Sequence, residues 1–211
     1  MARTRKDGIE TRNQILRAAA EVFDEKGFAA STHAEIGKRC GVNPALVNYH
    51  FSDKETLYRL AWEDAYRRTC LRYPTDGGIA ANRSAVNRLR GRIDALIRRN
   101  ADPECHDDGI WRRELANPTG LLDEIRRELV CPLRRELGGI VREIVGPEIP
   151  EEQVRLCTMS IIAQCRVPIS GPQECNLPDP FVKVDLETRI EHVFRFSLGG
   201  LKLLARKRTS E

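Results

Sequence analysis

Two glycines four residues apart, Gly37 and Gly41, sit within Ser31–Phe51 (STHAEIGKRCGVNPALVNYHF) and restrict this chain more than any other feature. Two short helices that cross tightly through a turn of three or four residues make three demands. Where the backbones approach, the first helix must carry a very small side chain. Four residues later the turn needs a residue that tolerates positive φ, which is glycine. Apolar residues must then fill the angle between the helices. Gly37 and Gly41 meet the first two demands, and Ile36, Cys40, Val42 and Val47 fall at the wedge positions. Asn43 stands where the second helix needs an N-cap, and Pro44 stands in its first turn, where a missing N–H costs nothing. An ordinary hairpin between bundle helices requires none of these coincidences, so the pattern predicts a DNA-binding helix-turn-helix.

The rest of the chain repeats the helical period. Ile15, Leu16, Ala19, Val22 and Phe23 share a face before Gly27 ends their helix. Leu57, Leu60, Ala61 and Ala65 follow the capping run Ser52-Asp53-Lys54-Glu55. Tyr73-Pro74-Thr75-Asp76-Gly77-Gly78 is the clearest break. Beyond it, helices are expected around Leu89–Ile97, from near Gly109 to before Pro118, from Thr119 or Gly120 to Gly146, and over about 150–166 and 183–206. A Pro/Gly-rich stretch (Pro168, Gly171, Pro172, Pro178, Pro180) separates the last two. No strand alternation or internal repeat interrupts this pattern, and the expected fold is all-α. The expected division is a DNA-binding domain over 1–55, joined by a helix over 53–73 to a sensing and dimerisation domain over 56–211.

Composition excludes several classes. The 211 residues are 41% hydrophobic and 31% charged, well outside the disordered range. No apolar run reaches the ~18 residues of a membrane span. No apolar stretch follows the basic start Arg3, Arg5, Lys6, so a secretory leader is not expected and the chain reads as cytoplasmic. Seven cysteines at wide spacing, with no C-x-x-C, argue for reduced thiols rather than a disulfide framework or zinc ribbon. The net charge of +4 is too small to name a partner. Residues 1–60 hold ten basic and eight acidic side chains, so any positive patch must arise from arrangement.

The tip of the second helix is what such a motif inserts in a major groove. That places Asn43, Pro44, Ala45, Asn48 and Tyr49 nearest the bases, with Leu46 and Val47 divided between groove and core. An Asn amide matches the adenine N6/N7 edge, so Asn48 is the candidate for a direct base contact; the other reading is a solvated helix residue. Pro44 and Ala45 suit thymine methyls. Tyr49 and His50 suit phosphates, which position a helix without reading sequence, although His50 also fits a structural role. Lys54, Thr32 and His33 lie at helix starts, where free N–H groups favour phosphate. Arg5 belongs to a basic arm that either follows the duplex or is simply solvated.

The segments TRNQILRAAAEVFDEKGF, HAEIGKRCGV and YHFSDKETLY, between Thr11 and Tyr58, resemble the DNA-binding domain of the TetR/AcrR family of transcriptional regulators. His50-Phe51, Lys54-Glu55 and Leu57 are its most specific part. Gly37 stands where the family usually has alanine, Asn43 where serine is common, and Asn48 where tyrosine is frequent. The segments Arg113–Thr119 and Ile161–Cys165 are more weakly similar to the CecR-like subgroup. The resemblance implies a homodimeric repressor on a palindromic DNA operator, released when a small molecule enters the C-terminal domain. An activator, a non-inducible DNA binder and a redox-responsive regulator are the alternatives.

For the dimer, two stripes fit a four-helix interface: Val154, Cys157, Ile161 and Cys165 on one helix, and Ile190, Phe194 and Leu201 on the other. Packing within one subunit is the competing reading. Trp111, Leu115, Leu122, Ile125, Met159 and Gln164 combine apolar faces with polar tips and are the candidates to line an effector pocket. Cys105-His106-Asp107-Asp108 holds zinc-type ligands, but neighbours in sequence rarely aim at one ion, and neither metal nor cofactor is expected. Cys157, Cys165 and Cys175 are possible redox sensors, with inert buried thiols as the plainer reading. The histidines His33, His50, His106 and His192 are scattered and accompany no catalytic motif, so enzyme function is not expected.

Overall fold

A computed structural model describes residues 2–166 and 184–206, with side chains from Asp7 onward. Arg5 is placed only as backbone, its side chain outside the described residues. Cys175 and the Pro/Gly-rich stretch also lie outside them. Among the described residues there are nine α-helices and no strand: α1 (Ala2–Ala30), α2 (His33–Cys40), α3 (Pro44–His50), α4 (Lys54–Arg72), α5 (Ala85–Ala101), α6 (His106–Ala116), α7 (Asp123–Val145), α8 (Glu151–Arg166) and α9 (Leu186–Arg206). No described helix is long and apolar enough to cross a membrane.

The chain packs as two compact units, Met1–Arg72 with Glu104–Glu128, and Tyr73–Pro103 with Leu129–Glu211. In the first, α1 packs on α2, α4 and α6. Ile15, Ala19, Val22 and Phe23 form its buried stripe, and α1 kinks at Gly27, whose φ of 77° and ψ of 175° leave the helical region. Phe23 meets the Tyr58 ring edge-on at 4.9 Å between centroids. The boundary expected at 55/56 falls in the first turn of α4. Packing keeps α4 whole, because Leu57, Tyr58, Ala61, Trp62 and Ala65 are all buried in this unit.

In the second unit α5, α8, α9 and the part of α7 from Leu129 onward enclose one apolar core. Leu89, Ile93 and Ile97 meet Val141, Ile161, Ile162, Ile190 and Val193 there. Two helix starts differ from expectation. Helix α6 begins at His106, three residues before Gly109. Helix α7 begins at Asp123 rather than Thr119 or Gly120, because the N–H groups of Thr119 and Gly120 donate instead to the Glu114 carboxylate, at 2.8 and 2.9 Å.

Candidate nucleic-acid interface

The helix-turn-helix is built as the glycine spacing requires. A Cβ on Gly37 would stand 2.8 Å from the Val42 carbonyl oxygen and 3.3 Å from Pro44 N, so α2 and α3 cross at glycine distance. Gly41 closes α2 in the left-handed region, at φ 72° and ψ 24°, and Val42 N–H donates to Gly37 O at 2.9 Å. Ile36 and Val47 fill the angle and are fully buried, while Cys40 and Val42 are half-buried at its rim. Both helices are capped by side chains: Thr32 Oγ1 accepts from Glu35 N–H at 3.2 Å, and Asn43 Oδ1 from Ala45 N–H at 2.8 Å. Arg39 ties the end of α2 to α1 through Glu25 and Glu21.

With Val47 turned inward, the opposite face of α3 is open. Pro44, Ala45, Leu46, Asn48 and Tyr49 are all exposed, Tyr49 by 82%. His50 is half-buried, and the Tyr49 ring stands edge-on to it at 5.3 Å. His33 lies at the start of α2, and its Nδ1 is hydrogen-bonded to Asn48 Oδ1. Thr32, His33, Asn43 and the α3 residues therefore share one region of the surface. Lys54 does something the sequence did not suggest. Its ammonium donates to the Phe28 and Ser31 carbonyls at 2.9 and 3.1 Å and lies 4.3 Å from the centre of the Phe28 ring, joining the start of α4 to the end of α1. Phe51 is buried beneath the same corner, with the Arg12 guanidinium over its ring.

The other candidate residues are dispersed. Trp111 and Leu122 are buried in the first unit, with the Arg126 guanidinium 5.1 Å from the centre of the Trp111 ring; Ile125 is half-buried and Leu115 exposed. Met159 and Gln164 belong to the second unit, where Met159 is exposed and the Gln164 amide donates to Ser160 O. Neither unit holds all six. A cavity of about 160 Å³ in the first unit is lined by Gly27, Phe28, Tyr58, Arg113, Glu114 and Thr119 among others, and by none of the six.

The interface stripes need correction. Val154, Ile161, Cys165, Ile190, Phe194 and Leu201 are buried in their own subunit's core, with Cys157 packed against it. A side chain already covered has no area left for a second copy. The exposed apolar residues of the same helices are others: Leu156 and Met159 on α8, Phe196 and Leu203 on α9.

Cys105, His106, Asp107 and Asp108 turn to separate partners. Cys105 is buried; His106 pairs with Asp24 at 2.9 Å, Asp107 accepts from Thr69 at 2.6 Å, and Asp108 faces Arg112. Burial pushes the Cys165 thiol up to about 12, which keeps it protonated and unreactive.

A helix-turn-helix with a bare second helix defines a DNA-binding regulator by its architecture. Residues 15–61 match the family described as bacterial regulatory proteins, tetR family, and residues 85–201, more than half the chain, match the C-terminal domain of the HTH-type transcriptional dual regulator CecR. The chain belongs to the TetR family of transcriptional regulators, with a C-terminal domain of the CecR kind. The HTH-type transcriptional regulator AcrR of Shigella flexneri is 38% identical over 64 residues, 30% of this chain and 30% of that protein. The HTH-type transcriptional repressor BepR of Brucella suis biovar 1 (strain 1330) is 41% identical over 59 residues, 28% of each. These matches span less than a third of the relatives' own length. A TetR-like transcriptional regulator from Rhodococcus sp. RHA1 shares the fold at a TM-score of 0.64 and 12% identity, over 90% of this chain and 94% of that one.

Proposed function

We propose that this protein is a cytoplasmic, homodimeric transcriptional repressor that binds a palindromic operator and leaves it when a small-molecule effector binds. The observation that carries this reading is the outer face of α3: five consecutive-turn residues, Pro44, Ala45, Leu46, Asn48 and Tyr49, stand exposed on a helix whose cap and crossing are otherwise tightly specified. Tyr49, His50, Thr32 and Arg5 serve phosphates, which set register, while Asn48, Ala45 and Pro44 meet base edges. The repressor assignment also draws on the name of the BepR relative, and release by an effector draws on family membership.

The dimer is formed by the exposed stripes of α8 and α9. Leu156, Met159 and Ala163 follow one helical face, and His192, Phe196, Gly199 and Leu203 another; all are exposed in the single chain. Two copies joined there offer two α3 helices to two half-sites, so the operator mirrors the protein's two-fold axis. Selection of duplexes from a random pool at low ionic strength tests the reading. It should enrich an inverted repeat, and a pool left without any enriched sequence would overturn it.

A further inference from the structure

One group of the Asn48 amide is already engaged within the protein. Its Oδ1 is hydrogen-bonded to Nδ1 of His33, on the neighbouring helix of the motif. Nε2 of the same imidazole is buried and has no partner among the described residues. Together these two facts place the ring proton. A neutral imidazole has one N–H and one lone pair. A proton on Nε2 would leave a buried N–H donor unmet, which folded proteins rarely allow; a proton on Nδ1 leaves only a lone pair unmet. Nδ1–H therefore donates to Asn48 Oδ1, and the –NH2 group of the exposed Asn48 side chain is left available.

We propose that His33 is a specificity-determining positioning residue: by holding Asn48 Oδ1 it fixes the amide so that the –NH2 group is what meets the duplex, and the base it reads is guanine. Guanine places two acceptors, N7 and O6, side by side in the major groove, which suits the two N–H bonds of one –NH2 group. Adenine places a donor, N6–H₂, beside N7, and reading both with an Asn amide requires turning toward the base the carbonyl that His33 holds. Cytosine offers only a donor, and thymine a single acceptor, O4, beside its methyl group. The adenine contact expected from the residue type alone is thus exchanged for guanine by a neighbour 15 positions away in sequence. This inference rests on the reading that α3 enters the major groove.

The test is a comparison of selected operators for the parent protein, Asn48→Ala, His33→Phe and His33→Gln. The position that loses its preference in Asn48→Ala is the one Asn48 reads. There the parent should favour a G·C over an A·T pair by about tenfold, the scale of one good amide or guanidinium contact. His33→Phe keeps the ring shape without the donor, and should abolish that preference or turn it toward A·T. His33→Gln restores an N–H donor of similar reach and should retain it. Preferences at all other positions should be unchanged in both variants, which also shows that they fold. The inference is overturned if the parent favours A·T at that position, if His33→Phe keeps the parent's preference, or if no position depends on Asn48. A parent that enriches no duplex at all removes the groove reading itself, and is told apart from those outcomes because no site exists to compare.

Discussion

At Gly37 the nearest atoms to a hypothetical methyl group are backbone, the Val42 carbonyl and Pro44 N, which cannot swing aside as a side chain can. An alanine at this position would push α2 and α3 apart. Gly41 contributes by conformation instead: at φ 72° any other L-residue carries strain. Gly41→Ala should therefore lower stability by about 1 kcal/mol, read as a drop in melting temperature. These two residues were legible in the sequence because their roles depend on spacing along the chain. The roles of His33 and Lys54 were not, since a ring resting on an amide 15 residues away and an ammonium resting on carbonyls 23 and 26 residues away arise only from how helices meet. His106 supplies a pH-dependent contribution. Its hydrogen bond to Asp24 raises its proton affinity, against the opposing effect of burial and with support from the Glu21 and Glu104 charges. The stabilisation is complete below the free imidazole value near 6.5 and fades as pH climbs through the raised folded value. The urea midpoint should fall between pH 6 and pH 9, and His106→Gln should flatten that fall.

The helices α1 and α6 show how elements in the first unit are joined. Gly109 sits so close to Asp24 that a Cβ would overlap the carboxylate, His106 holds the same carboxylate, and Arg113 donates to the Asp24 and Glu25 carbonyls at the end of α1. Glu114, on the same helix, is buried and accepts from Tyr58 Oη at 3.0 Å, from Thr119 Oγ1 and from two backbone N–H groups. Burial, and then the Glu114 charge, hold the Tyr58 hydroxyl protonated far above its usual range. Removing the carboxylate leaves several buried donors unmet, so Glu114→Ala should destabilise by about 3 kcal/mol, checked by the shift of the urea midpoint. Helical periodicity located α6 and α7 but not the loop between them, because residues 119 and 120 are held by Glu114 rather than by a helix. Spacing does not orient the stripes on α8 and α9, for a related reason. Both helices carry apolar residues on more than one face, and periodicity does not say which face meets the chain itself.

For the assembled molecule, Phe194 and Phe196 separate the two faces of α9. Phe194 is buried in the core and lies under the Arg90 guanidinium, whereas Phe196 is 65% exposed. Phe196→Glu should turn a dimer into folded monomers, seen by light scattering with an unchanged helical circular dichroism spectrum. Phe194→Glu should instead unfold the second unit, since it buries an unpaired charge. The all-α class, the described helices but for a few boundary residues, and the position of the helix-turn-helix all followed from glycine, proline and apolar spacing. Which residues meet an effector is not decided by that spacing, because lining a pocket depends on faces that spacing along one helix leaves undetermined. The central claim is that the outer face of α3 is the surface that meets DNA. Ala45 is exposed at the tip of that helix. Ala45→Glu, measured by fluorescence anisotropy on the duplex selected by the parent, should weaken binding at least about 100-fold while leaving the melting temperature unchanged, as expected for a carboxylate set against a polyanion. Binding at the parent's affinity would place the DNA-contacting surface elsewhere and contradict the account.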